Sequence, residues 1–224
     1  MAYYIDLACI SIDEFKSILK STRLLPSWKI LEEAMDERMK VIQKEGIWDL
    51  GSLLSALKTK INVQEFASRT ALPEEYLIVL RRVVKGYHPK PNRICDFPNI
   101  TDTVSKKLEE SGIKNTFDLY DHILTQGQRS RLSAESGIGK EEIRILSMMT
   151  DMSRIKWVNH TFAFMLLESG YKTAKEVAGS DPMELHKKIN EVNVKYKFYK
   201  GTIGMNDMLL VIQSAKMLQY KITL

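Results

Sequence analysis

Three segments of the chain, residues 42–49, 108–115 and 166–173, share one pattern and align without a gap. In each of them a helix-like stretch ends in a glycine that an apolar residue follows. A glycine just beyond a helix takes up the left-handed conformation that ends it, without the clash of a Cβ atom. The apolar residue supplies the contact that such a cap needs. The pattern therefore predicts short helices joined by tight turns. The glycine and apolar pairs are Gly46-Ile47, Gly112-Ile113 and Gly170-Tyr171.

The same three segments place an N-capping residue two positions after the apolar residue, namely Asp49, Asn115 and Thr173. Oxygen atoms of these side chains accept hydrogen bonds from the otherwise unpaired N–H groups of the first helical turn. Glu176, three residues after Thr173, predicts a reciprocal capping box. Ser52 and Asp118 hold the matching positions in the other two segments. Each segment thus predicts a helix, a turn and a second helix.

Further hairpins are predicted ahead of the glycines, where flanking apolar positions also align. They lie around Leu25-Pro26, Leu72-Pro73 and Ile138-Gly139, with others at residues 98–101 and 156–159. Signals for β-strands are weak, because alternating apolar runs are few. The sequence therefore predicts an all-α fold.

Gly86, Pro89 and Pro91 interrupt the helical pattern and indicate a linker. We expect an N-terminal helical region with degenerate hairpins at residues 1–88. We expect a C-terminal region with tandem hairpins at residues 89–224, ending in a helix from near Asn206 to about Gln219.

The net charge of the chain is +5, and the excess of Lys and Arg lies in residues 127–224. This balance permits nucleic-acid binding without demonstrating it. The N-terminus has neither the basic nor the apolar part of a secretory signal. No apolar run reaches the roughly 20 residues that span a bilayer. We therefore expect a cytoplasmic protein without a membrane partner.

The paired helix-turn units that end in glycine and an apolar residue resemble the helix-hairpin-helix superfamily. Residues 151–157, 168–173 and 200–208 resemble a bacterial family, the domain of unknown function 4332, and the resemblance extends over nearly the whole chain. It implies tandem helix-hairpin-helix (SAM-like) repeats in two packed helical regions, and no established activity. Related helix-hairpin-helix modules bind the DNA backbone without sequence preference, which is an analogy of fold.

Hairpins of this kind bind phosphate through Gly-hydrophobic-Gly, which lets backbone N–H groups approach the anion. Gly137-Ile138-Gly139, followed by Lys140, is the one intact example. The prolines in the first two hairpins lack an N–H group, and Trp157 would obstruct a phosphate. We interpret Gly137, Gly139, Lys140 and Arg144 as a phosphate contact. The alternative is a structural turn, because Glu141 and Glu142 weaken any anion site.

A second candidate is a set of lysines that alternates with Tyr196, Phe198 and Tyr199 and could follow a backbone while the rings stack on bases. In the alternative interpretation the aromatic residues pin the segment to the core and the lysines are solvated. A third basic run, within residues 81–93, is interpreted as a solvated helix end and linker. The lysines of the second candidate are Lys187, Lys188, Lys195, Lys197 and Lys200.

Catalytic motifs are absent from the sequence. The Gly137–Lys140 segment lacks the upstream glycine and the following Ser or Thr of a P-loop. The four histidines lack metal-ligand spacing, so we expect no metal, no cofactor and no small-molecule substrate. Our hypothesis is a non-catalytic protein that contacts the backbone of DNA or RNA through its C-terminal region. The alternative is a protein–protein adaptor, and an enzyme with an unrecognised site comes last.

Overall fold

A computed structural model describes residues 3–224. Within them the chain forms α-helices, short 3-10 helices and loops, and no β-sheet, although two isolated β-bridges join Ser11 to Asp49 and Arg93 to Asn115. The prediction of an all-α fold is confirmed. The α-helices are α1 (Ile12–Ser21), α2 (Met35–Lys44), α3 (Leu50–Ala56), α4 (Lys60–Thr70), α5 (Glu74–Lys85), α6 (Asp102–Glu110), α7 (Thr116–Tyr120), α8 (Gln126–Ser136), α9 (Lys140–Met152), α10 (His160–Glu168), α11 (Ala174–Ala178), α12 (Pro182–Tyr196) and α13 (Met205–Lys216).

The chain divides into two compact units. The N-terminal unit, Ile5–His88, contains α1–α5 around a core that includes Phe15 and Leu80. The C-terminal unit, Pro89–Leu224 together with Tyr3 and Tyr4, contains α6–α13. None of the helices within residues 3–224 has both the length and the apolar character that crossing a membrane requires.

The three repeated glycines adopt the left-handed conformation that the sequence predicts. Their φ angles are +78° at Gly46, +81° at Gly112 and +92° at Gly170. A Cβ atom at any of them would meet no atom within 4 Å. The requirement for glycine therefore comes from the backbone angle and not from crowding.

Gly112→Ala is accordingly expected to lower the free energy of unfolding by about 1 kcal/mol, the cost of a left-handed alanine. The matched control is Gly127→Ala, inside α8, where a Cβ atom would meet nothing closer than 3.9 Å. Alanine is the better helix former, so this second variant should gain at most about 0.5–1 kcal/mol, since Gly127 lies in the first turn of α8. Urea denaturation measures both, and a stabilising Gly112→Ala would contradict the explanation.

The predicted N-caps are confirmed. Asp49, Asn115 and Thr173 accept hydrogen bonds from the N–H groups three residues ahead in α3, α7 and α11. The reciprocal half of the predicted capping box is wrong, because the Glu176 carboxylate accepts from the N–H of Lys172, at 2.8 Å, instead of that of Thr173. The carboxylate thus reaches back over the turn that precedes the cap. The Asp118 carboxylate likewise accepts a hydrogen bond from the N–H of Lys114, at 3.1 Å.

Two of the three predicted upstream hairpins join α-helices. The α4–α5 and α8–α9 hairpins both end their first helix at a left-handed residue, Ala71 or Gly137, and begin the second after Pro73 or Gly139. The first hairpin differs, because Pro26 begins a 3-10 helix, Pro26–Leu31. The C-terminal helix, α13, is slightly shorter at its end than the sequence predicts.

A buried ion pair ties distant parts of the C-terminal unit together. The Arg154 guanidinium donates to Asp151 Oδ1 at 2.6 Å, to the carbonyl of Tyr3 at 2.9 Å and to that of Gln219 at 2.8 Å. The other oxygen of Asp151 accepts from the N–H of Ala174 at 2.8 Å. Both charged side chains are almost fully excluded from water. The pair therefore connects the end of α9 to α11 and to the two chain ends of the unit.

Candidate nucleic-acid interface

The α8–α9 hairpin is a tight turn built on two glycines. Gly137 ends α8 with a φ of +64°, Ile138 is buried, and Gly139 is the N-cap of α9. A Cβ atom on Gly139 would lie 2.9 Å from Glu142 Oε2. A side chain at position 139 would therefore crowd this capping carboxylate, whereas the φ of −59° is one that any residue can adopt.

Acidic side chains already occupy much of this hairpin. Glu142 Oε2 accepts from the N–H of Gly139 at 3.0 Å, and this N–H is the group predicted to donate to phosphate. Arg144 forms two hydrogen bonds with the Glu141 carboxylate, at 2.7 and 2.5 Å. Of the two cations predicted at this hairpin, Lys140 is exposed and forms no ion pair within residues 3–224. A phosphate would have to displace two carboxylates, which weakens this hairpin as an anion site.

Three of the five lysines of the second candidate also face acids. Lys188 Nζ lies 2.6 Å from Glu184, one turn earlier on α12, and Lys195 Nζ lies 3.4 Å from Glu168 on α10. Lys187 is 4.0 Å from its acid, Glu191. Surface pairs of this kind contribute little stability, but they reduce the local positive charge. The lysines of α12 therefore do not form an uninterrupted basic strip.

A shallow cleft of about 350 Å³ between α10 and α12 is likewise lined by both positive and negative side chains. Lys188 and Lys195 line it together with Glu168 and Glu191. Two positive and two negative side chains leave no net charge there. The cleft is consequently a poor channel for a phosphate backbone.

The α12–α13 loop, residues 197–204, is different because side chains of α12 hold it in place. Asn193 is buried, and its amide donates to the carbonyls of Tyr199 and Gly201 while its oxygen accepts from the N–H of Tyr199. Asn190 bonds in the same two-sided way to the backbone of Ile203. All these distances lie between 2.9 and 3.1 Å. The loop is therefore ordered by amide side chains, although it lies at the surface.

This loop presents two lysines without acidic partners. Lys197 and Lys200 are exposed, and neither forms an ion pair within residues 3–224. Tyr199 lies between them and is 37% exposed. Its hydroxyl donates to Asn159 Oδ1 at 3.3 Å, and partial burial raises the pKa of this hydroxyl, so it stays protonated at neutral pH. The loop thus combines unpaired positive charge with an aromatic ring held in position.

Tyr196 and Phe198, the other aromatic residues of the segment, have a structural role. Their rings stack with centroids 5.5 Å apart, and both meet the ring of Phe164 edge-on, at 5.3 and 5.8 Å. The Tyr196 hydroxyl also donates to Glu168. These two rings anchor the end of α12 to α10, as the alternative interpretation of the segment expects.

Sequence reasoning assigned Trp157 only an obstructing role, yet its geometry is unusual. It has a φ of +80° and its side chain is 44% exposed. The amine of Lys156 lies 5.1 Å from the centroid of its ring. Lys156 is itself buried, which lowers the pKa of its amine to about 7. The only signal in the sequence was a tryptophan at a turn position where glycine is the better residue.

The third basic run is divided between the two units. Arg81, Arg82 and Lys85 lie on α5 of the N-terminal unit, whereas Lys90 and Arg93 belong to the C-terminal unit. Arg81 donates to the carbonyl of Leu57 at 3.3 Å. The other four are exposed, as the interpretation of a solvated helix end and linker expects.

Comparison with known proteins gives one match. A model of the family described as Domain of unknown function (DUF4332) matches residues 98–218, and so does not extend over residues 1–97. Neither the curated proteins nor the solved structures include a match to this chain.

Proposed function

The chain belongs to the DUF4332 family, whose description assigns no activity, and we propose that it is a non-catalytic protein that binds nucleic-acid backbone without sequence specificity. The observation that carries the proposal is the pair of unpartnered lysines, Lys197 and Lys200, on a loop fixed by Asn190 and Asn193. Positive charge on a pre-ordered surface meets phosphate oxygens with little loss of conformational entropy.

We propose further that the chain consists of tandem helix-hairpin-helix units and is a bacterial, cytoplasmic protein, and the repeated turns support the first of these points. The left-handed residues that end α4, α6, α8 and α10 recur at equivalent places in successive turns. Such turns are typical of that superfamily, and backbone binding is its common use. This part of the proposal is an analogy of fold.

The nine residues of the predicted interface contribute unequally in this proposal. Lys197 and Lys200 make the principal phosphate contacts, since no acid competes for them. Lys140 adds a weaker contact at the α8–α9 hairpin, where Glu141 and Glu142 engage the neighbouring groups. Gly137, Gly139 and Arg144 shape that hairpin, and Lys187, Lys188 and Lys195 add long-range attraction.

Lys197→Gln combined with Lys200→Gln is expected to weaken binding to DNA or RNA about tenfold or more, because two phosphate contacts are lost. Fluorescence anisotropy with labelled oligonucleotides measures the change. The matched control is Lys187→Gln with Lys188→Gln, which removes the same charge from lysines that face acids. It should weaken binding much less. Equal losses in the two variants would show that only net charge matters and would remove the loop from the proposal.

Exposed apolar residues on α12 favour a second candidate, a protein–protein adaptor. Met183 and Val194 are 72% and 76% exposed, and three helical turns place them on one face of the helix. Large apolar side chains left in water on one face are typical of a surface that meets a partner. An absence of binding to DNA and RNA even at low salt would favour this candidate over the first.

A further inference from the structure

The backbone of Trp157 is held in a conformation that a tryptophan avoids. A left-handed φ of +80° costs a residue with a Cβ atom roughly 1–2 kcal/mol, whereas glycine adopts it freely. Burial in the core does not account for the residue, since its side chain is 44% exposed. Strained residues that persist at a surface are concentrated at binding sites.

Tyr199 contacts the chain two residues after Trp157. Asn159, two residues after Trp157, accepts from the Tyr199 hydroxyl at 3.3 Å and from the N–H of Phe162 at 2.9 Å. The same asparagine thus caps α10 and positions the tyrosine. The ring of Tyr199 also meets that of Phe162 edge-on at 6.4 Å. Tyr199 is therefore held at the start of α10, and the exposed Trp157 directly precedes this start in the chain.

Positive charge flanks the ring of Tyr199. Lys197 and Lys200 stand on either side of Tyr199 in the chain, both exposed and without acidic partners in the described residues. Aromatic rings beside lysines match the two chemistries of a single strand, which are a charged backbone and bases with open faces. A duplex offers only the first, because its bases are already stacked on one another.

We propose that Trp157 and Tyr199 form an aromatic platform on which unpaired bases stack, so that the ligand of the α12–α13 loop is single-stranded nucleic acid. This inference rests on the proposed function and names its substrate class. Lys197 and Lys200 hold the phosphates, and the two rings receive the bases without regard to their identity.

Binding of a labelled thymidine oligonucleotide and of a duplex of equal length tests the platform. The wild-type protein should bind the single strand more tightly. Trp157→Gly and Tyr199→Ala should each weaken single-strand binding about 5- to 150-fold, the usual contribution of one stacked base. Binding of the duplex should change by less than about twofold.

Two controls separate a lost platform from a lost fold. Trp157→Gly suits the left-handed backbone, so its thermal unfolding should match that of the wild type or improve. Trp48→Ala removes another exposed tryptophan, in the N-terminal unit, and should leave both affinities unchanged. Quenching of Trp157 fluorescence by the single strand, in a Trp28→Phe, Trp48→Phe background, would show direct stacking.

The outcomes of these experiments distinguish failure of the aromatic platform from failure of the proposed nucleic-acid binding. Tighter binding of duplex by the wild type overturns the platform, as does full single-strand affinity in Trp157→Gly and Tyr199→Ala. If Lys197→Gln with Lys200→Gln still weakens binding in that case, the proposed function stands alone. Failure of the wild type to bind either probe at low salt overturns both.

Discussion

Arg154→Met is expected to lower the free energy of unfolding of the C-terminal unit by about 3–5 kcal/mol, the range for breaking a buried ion pair on one side. The substitution leaves the Asp151 carboxylate in the core without its counter-charge. It also removes the donors to the carbonyls of Tyr3 and Gln219. The contact of the guanidinium with the Tyr120 ring, 4.7 Å away, is lost as well. Denaturant unfolding followed by circular dichroism measures the loss.

Arg131→Met is the matched control for this prediction. Arg131 lies in the same unit and pairs with Glu135 at 2.8 Å, but both side chains are exposed. Such surface pairs contribute little, so stability should stay within experimental error of the wild type. If Arg154→Met were as mild as Arg131→Met, the buried pair would not be what holds the two ends of the unit.

Lys156→Met is expected to have the opposite effect and to stabilise the protein at neutral pH. Burial lowers the pKa of the Lys156 amine to about 7, far below that of an unfolded lysine, because the charged form is poorly solvated inside. At pH 7 and below, the folded state therefore bears the cost of a buried charge that the unfolded state does not. Methionine removes this cost, for an expected gain of about 2–4 kcal/mol.

The pH dependence of stability tests the buried Lys156 amine more directly. Between pH 7 and about 10.4, the unfolded state binds a proton at Lys156 that the folded state does not, so this residue makes stability rise with pH. Below that window its contribution is flat. In Lys156→Met the rise should disappear, whereas Lys216→Met, at an exposed position on α13, should retain it. A rise that persists in Lys156→Met would contradict a buried amine that is neutral at high pH.

Features that depend on neighbours in the chain could be predicted from the sequence. The glycines at 46, 112 and 170 and the caps at Asp49, Asn115 and Thr173 act within a few residues, so residue type and spacing suffice. The prediction of a hairpin between two α-helices at Pro26 was wrong, because a 3-10 helix begins there. Proline permits the start of a 3-10 helix as readily as that of an α-helix. The prediction of a reciprocal capping box at Thr173 was wrong, because the Glu176 carboxylate can reach the N–H of either Thr173 or Lys172 and accepts from Lys172.

Features that join distant residues could not be predicted in this way. The ion pair between Lys195 and Glu168 joins α12 to α10, and the sequence of neither segment indicates it. The contact between Tyr199 and Asn159 and the clamp of Arg154 on Tyr3 likewise depend on how helices pack. The predicted basic group therefore contained lysines with acidic partners and lysines without them, and the sequence could not separate the two kinds.

The central claim is that Lys197 and Lys200 contact phosphates, and the salt dependence of binding tests it most directly. A plot of log Kd against log salt concentration measures the number of counterions that binding releases. Relative to the wild type, Lys197→Gln with Lys200→Gln should reduce the slope by about 1.4 on a single strand, or roughly 0.7 for each lost contact. The same slope in both proteins would contradict the claim, because the two lysines would then touch no phosphate.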